Sequence, residues 1–208
     1  MAANALVGDP RTGFTVNGAP ITGPLVRVLD QDTLTPMEIA TSSDRDETLV
    51  LTTYGVPEVP QPANGNGYQI DRLYFSLDGA PVQPDRVAVG TRLVTVLKVS
   101  PIGLREGRLM VTDPLPAGFE IDNPNLLRSG ELKDLDFLTL DVTPTHQEFL
   151  SDRFRAAVDW RSDRAFQLAY IVRAVSPGAF AHPAALVEDM YRPQFRAITD
   201  TSRVQVVR

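Results

Sequence analysis

The residues that could do chemistry are few. His146 and His182 are the two histidines of the 208-residue chain, and only they could act as a base near neutral pH. No GxSxG elbow, HExxH pair or phosphate-cradling glycine loop occurs. A serine–histidine–aspartate site assembles in space, so sequence alone leaves it open. His182 precedes Pro183 and reads as a solvated turn histidine. Asp30 and Asp32 open a D-x-D pattern, but Thr35 stands where a calcium loop needs glycine and no ligating glutamate closes it. The chain has no cysteine, which removes disulfides, zinc-thiolate sites and thiol nucleophiles. Neither a cofactor nor a metal is expected, and the chain is not expected to be an enzyme.

One stretch stands apart. "PAALVEDMYRP", residues 183–193, sets Val187, Met190 and Tyr191 beside Glu188 and Asp189 and is closed by proline at both ends. It could be an active-site loop, a metal site or a docking surface. Glu188 and Asp189 are adjacent, so in a strand they point to opposite faces and share one ion poorly. They are expected as a strand end exposed to water.

Composition narrows the classes. At 43% hydrophobic and 22% charged, the chain is ordinary for a globular protein and too apolar for disorder. A net charge of -6 argues against a nucleic-acid partner, which needs a basic face. No run reaches the roughly 20 apolar residues of a membrane helix. The start, MAANALVGDP, lacks the basic and long apolar regions of a signal peptide.

The elements that must position these residues read as strands. FTVNGAPITGPLVRVL carries Asn17-Gly18 between two β-prone runs, a hairpin signal. LTPMEIA and ETLVLTTYG follow as further strands. VPEVPQPANGNG holds three prolines and two glycines and reads as a linker, with a domain boundary near residue 64. Beyond it, GYQIDRLYFSLDG, TRLVTVLKVS, GRLMVTDPLPAGFEI, AFQLAYIVRAVSPGAF and SRVQVVR are β runs separated by turn signals. NPNLLRSGELKDLDFL is the one helical patch, with Asn125 as cap, Leu132, Leu135 and Leu138 three apart, and Gly130 interrupting. The expected fold is all-β: immunoglobulin-like antiparallel β-sandwiches with a short helical insertion. Residues 1–64 form a small or partial β domain and residues 65–208 a second sandwich.

Two segments carry a family likeness. LMVTDPLPAGFEIDNPNLL and AYIVRAVSPGAFAHPAALVEDMYRP resemble the C-terminal region of bacterial α2-macroglobulin-like proteins. In that family a DPLPAGFE turn, an AY-RAV-PG-F strand pair and a VEDMYRP segment mark the last macroglobulin-type domain. The resemblance covers roughly residues 66–208. GFTVNGAPITGPLVRVL and VLTTYGVPEVPQPANGNGY resemble the stretch just upstream, which follows the thioester domain.

The resemblance implies a C-terminal fragment of a large periplasmic, lipid-anchored, monomeric protease trap. In such a protein a protease cuts a bait region, and a Cys-Gln thioester then captures it covalently. The chain departs from the full pattern: without cysteine it cannot carry the thioester, and it is too short for the bait. The implied partners are the thioester domain of the parent protein and, through the parent, trapped proteases. The family's last domain covers the thioester with a tyrosine, and Tyr191 is the matching position. Met190, Glu188 and Asp189 belong to the same docking patch, and Pro193 helps shape it. An aromatic ring suits the task, being a large rigid cover with one polar handle. The plainer reading of Tyr191 is a strand residue with its hydroxyl at the surface. A second class also remains: GTRLVTVLKVS and VTDPLPAGFEI resemble β-sandwich spacer or adhesion modules of bacterial surface proteins, which lack the VEDMYRP tail.

Overall fold

The structure is a computed structural model that describes residues 14–21, 26, 28, 35–41, 48–50, 52, 59, 61–122, 138 and 140–208. The chain divides into two compact units, Met1–Gly55 and Val56–Arg208. The division falls upstream of the boundary expected near residue 64.

In the first unit, β1 (Phe14–Val16), β2 (Ala19–Pro20) and β3 (Ile39–Thr41) form an antiparallel sheet ordered β2-β1-β3. The expected hairpin is present. Asn17 and Gly18 both adopt positive φ, 51° and 77°, which a tight two-residue turn between twisted strands requires. Asn17 also accepts the Glu38 backbone N–H at 2.9 Å. Of the strand expected over ETLVLTTYG, described residues 48–50 are not in a strand.

The second unit holds β4 (Asn64–Asn66), β5 (Tyr68–Phe75), β6 (Arg86–Ala88), β7 (Arg92–Pro101), β8 (Gly107–Pro114), β9 (Phe119–Ile121), β10 (His146–Phe149), β11 (Arg153–Trp160), β12 (Phe166–Ala174), β13 (Gly178–His182), β14 (Leu186–Asp189), β15 (Arg196–Ile198) and β16 (Ser202–Val207). They make a six-stranded sheet β10-β11-β8-β14-β15-β4, a four-stranded sheet β5-β7-β12-β9 and a three-stranded sheet β13-β16-β6. All pairs are antiparallel except β16 with β6. Residues 64–66, inside the expected linker, instead pair with β15.

Alternation explains the layers. On β5, Tyr68, Ile70 and Tyr74 are buried on one face, with the partly buried Arg72 completing the alternation; on β8 alternate residues Leu109 and Val111 are buried, and on β11 Phe154, Ala156 and Val158. With Leu97 and Val99 of β7 and Phe166, Leu168 and Tyr170 of β12 they form one core cluster. Phe154 stacks on Tyr170 at 4.6 Å between ring centroids, joining the two larger sheets. The opposite face of β7 and β12 buries Val94, Val96 and Ile171 against Phe75, Leu77 and Leu138. That is why TRLVTVLKVS is a nearly continuous apolar run: it is covered on both sides. Among the described residues there is no helix. The helical patch expected within 124–138 lies, apart from Leu138, outside the described residues.

Candidate functional site: an aromatic turn on a buried polar frame

The stretch 183–193 is the strand β14 followed by a turn that leads into β15. β14 lies between β8 and β15, with Val187 opposite Val111 and Ala197. Its alternation places Val187 and Asp189 inward and leaves Glu188 half-buried. The expectation that Glu188 and Asp189 sit on opposite faces is met. The expectation that both are exposed is overturned, because Asp189 is only 1% exposed.

The buried carboxylate organises the turn. Asp189 Oδ1 accepts the backbone N–H of Tyr191 at 3.0 Å and of Arg192 at 3.2 Å. An aspartate that binds the amides two and three residues on is the usual way such a side chain fixes a tight turn. Arg192 Nε donates to Asp189 Oδ2 at 2.9 Å, and Arg192 NH2 donates to the Glu106 carbonyl at 2.6 Å. The Met190 N–H donates to the Arg108 carbonyl at 2.8 Å. The turn is therefore tied to the loop before β8 as well as to itself. Hydrogen bonding to Asp189 holds the Arg192 guanidinium above its ordinary pKa. Tyr68 lies beneath; burial pushes its hydroxyl pKa up, and the Asp189 charge adds to this.

On top of this frame Met190 is 45% and Tyr191 71% exposed. The Tyr191 ring faces the Arg108 guanidinium at 5.5 Å from the centroid, and Arg108 in turn lies 3.7 Å from Asp159. A shallow pocket of about 290 Å³ opens beside the ring, lined by Arg108, Asp159, Trp160, Arg161, Asp189 and Tyr191 among others. The turn thus presents a large ring to solvent while its Tyr191 and Arg192 amides are bonded to the buried Asp189 carboxylate.

A second polar cluster holds the strand that leads to this turn. Arg72 of β5 reaches across the sandwich to Asp113 of β8 at 2.6 Å and to the Pro183 carbonyl at 2.9 Å. Tyr170 donates to Asp113 at 2.7 Å. Burial pushes the Asp113 carboxyl upward, and Arg72 and the Tyr170 hydroxyl offset part of that. His182 corrects the expectation of a solvated turn histidine: it ends β13, is 2% exposed and shares a 2.9 Å hydrogen bond with Tyr74. Burial pushes its pKa down to about 3, with the Arg72 charge contributing. A histidine held neutral and bonded in this way is a structural group and a poor base. His146 is exposed on the edge strand β10, 3.3 Å from Glu148. Asp30 and Asp32 lie outside the described residues. Among the described residues no group of three or more metal-ligating side chains occurs.

Sequence reasoning reached Met190 and Tyr191 but missed Arg192, Arg108, Arg72 and Asp113. Only Arg192 left a signal, since Asp189 and Arg192 have the i, i+3 spacing of a turn pair.

Comparisons with known proteins place the chain in a family. Residues 67–194 match the bacterial alpha-2-macroglobulin MG10 domain. Alpha-2-macroglobulin of Escherichia coli K12 is 33% identical over 189 residues, which is 86% of this chain and 11% of that protein. The Xylella fastidiosa 9a5c protein is 34% identical over 152 residues, 68% of this chain and 9% of that one. The chain thus spans about a tenth of the length of these relatives. Among solved structures, native E. coli alpha-2-macroglobulin from domain MG7 to the C-terminus covers 74% of this chain at TM-score 0.66 and 31% identity, over 25% of its own length. Salmonella alpha-2-macroglobulin reacted with methylamine covers 95% at TM-score 0.77 and 27% identity, over 13% of its length. The match runs through both the β-sandwich core and the VEDMYRP turn, and the chain belongs to the bacterial alpha-2-macroglobulin family, with residues 67–194 forming its MG10 domain.

Proposed function

We propose that this chain is the C-terminal part of a protease-trapping alpha-2-macroglobulin, and that its turn after β14 presents Tyr191 as a cover over the thioester of the parent protein. The parent would act as a monomer in the periplasm, held by a lipid anchor, and the turn would leave the thioester domain when a protease cleaves the bait. One observation carries the reading of the turn: Tyr191 is 71% exposed, yet its own backbone N–H is bonded to a buried carboxylate. A thioester survives only where water is kept out, and a preset ring can do that with little further ordering on docking. The relatives support the setting. One E. coli structure is of the protein activated by porcine elastase, and the Salmonella protein was reacted with methylamine. The spacer reading fits less well, since the family match includes the residues 187–193 that spacer modules lack.

The test is thioester lifetime in the intact parent. Tyr191→Ala leaves a gap beside the bond and should release free thiol faster than wild type. Tyr191→Phe keeps the ring and should fall between the two. Equal thiol release in all three proteins would refute the cover.

A further inference from the structure

Arg192 is the residue that ties the turn to the rest of the domain. Its guanidinium bonds the Asp189 carboxylate through Nε at 2.9 Å and NH2 at 2.8 Å. It also donates to the Glu106 carbonyl in the loop before β8 at 2.6 Å, and it lies over the Phe195 ring at 5.4 Å. One planar group thus joins the start of the turn, its end and a neighbouring loop. A guanidinium has the planar fork of donors and the flat face to do all three; an ammonium has three donors but neither the fork for a carboxylate nor a face to lay on a ring. The Tyr191 ring itself has few restraints, a face contact with Arg108 and a long 3.5 Å hydrogen bond from Arg108 to its hydroxyl. Its direction therefore depends on the backbone of residues 190–192, which Asp189 and Arg192 hold. The strand pairing beneath does not need Arg192, because Leu186, Val187 and Glu188 pair with β15 upstream of the turn.

We propose that Arg192 is a positioning residue for Tyr191: with Asp189 it presets the turn so that the ring meets its partner surface already ordered. This rests on the reading of Tyr191 as the thioester cover and adds a second residue to it. Losing Arg192 leaves the Asp189 carboxylate with backbone donors alone and frees the turn from Glu106 and Phe195. The ring then spends part of its time away from the docked direction.

The experiment measures thiol release from the intact parent protein in Arg192→Met, Arg192→Lys, Tyr191→Ala and the Tyr191→Ala/Arg192→Met double variant. Urea midpoints show that each is folded. Arg192→Met should speed thiol release about three- to tenfold, the scale of one ordinary net hydrogen bond, since the Arg192 side chain is partly exposed. Arg192→Lys should recover part of the loss. In the Tyr191→Ala background, Arg192→Met should add nothing, because there is no ring left to position. A purely structural arginine would instead act additively with Tyr191→Ala, and that result would overturn the proposal. So would an Arg192→Met protein with wild-type thiol release while Tyr191→Ala is fast. If Tyr191→Ala itself is unchanged, the cover reading fails first and this proposal falls with it. Hydrogen exchange of the Tyr191 and Arg192 amides in the 208-residue chain gives a readout that needs no thioester. Both should lose protection in Arg192→Met and keep part of it in Arg192→Lys; unchanged protection would contradict the proposal.

Discussion

Arg72 and Asp113 face each other across the two larger sheets as an ion pair of 2.6 Å, with side chains only 5% and 1% exposed. Each is the other's charge partner in a place that water does not reach. Asp113 holds the Arg72 pKa above its ordinary value even though burial works against the charge. Removing one partner strands the other. Arg72→Met should lower unfolding free energy by about 3–5 kcal/mol, because it leaves a buried carboxylate with only the Tyr170 hydroxyl. The double variant Arg72→Met/Asp113→Leu should be less destabilised than either single change, since both charges leave together and the groups that lose a partner, the Tyr170 hydroxyl and the Pro183 carbonyl, are neutral. Urea unfolding of the three proteins measures it; equal or additive losses would contradict the argument.

His182 should make the domain sensitive to acid. Its pKa is about 3 in the fold against an ordinary 6.5, so the unfolded chain binds a proton that the folded chain refuses. The stabilisation is fully present above pH 6.5 and is lost as pH falls from there toward 3. The slope from this one group approaches about 1.4 kcal/mol per pH unit between those limits. His182→Gln removes the titrating ring, so stability measured from pH 7 to 4 should fall less steeply in the variant. Parallel pH profiles would show that His182 is not the group responsible.

Gly67 should resist replacement. It has φ of +74°, and a Cβ there would lie 2.8 Å from both Leu104 and Phe195. Gly67→Ala combines left-handed strain with overpacking and should cost about 1–3 kcal/mol. Because Phe195 lies under Arg192, the same change should raise hydrogen exchange at the Tyr191 amide. Wild-type stability would mean that the corner between β4 and β5 has room to relax.

The legible part of this fold was the part written in local pattern. Asn17-Gly18 announced its hairpin because two positive φ values leave few residue choices. TRLVTVLKVS and AFQLAYIVRA announced β7 and β12 because both strands are covered on two faces and run nearly unbroken in apolar residues. β10 and β15 were missed: HQEF is half-exposed on an edge and RAI is too short to show a period. His182 was misread for a related reason. A residue before proline favours extended backbone, which suits a turn and a strand end equally, and its burial is decided by partners distant in sequence, Tyr74 108 residues away and Ser202 20 residues away. Asp189 and the Arg72–Asp113 pair likewise depend on partners brought together by sheet packing, which no local spacing encodes. Tyr191 was reached through the likeness of VEDMYRP to a family segment, and the structure adds the frame that holds it.

The central claim is that Tyr191 lies against the thioester of the intact protein. A photo-crosslinking amino acid such as benzoylphenylalanine placed at position 191 of the parent tests this most directly. Irradiation of the unreacted protein should link residue 191 to the peptide that carries the thioester cysteine and glutamine, as read by mass spectrometry. The link should weaken or vanish once the protein has been cleaved by a protease. No crosslink, or crosslinks only to peptides remote from the thioester, in protein whose thioester is intact, would contradict the account.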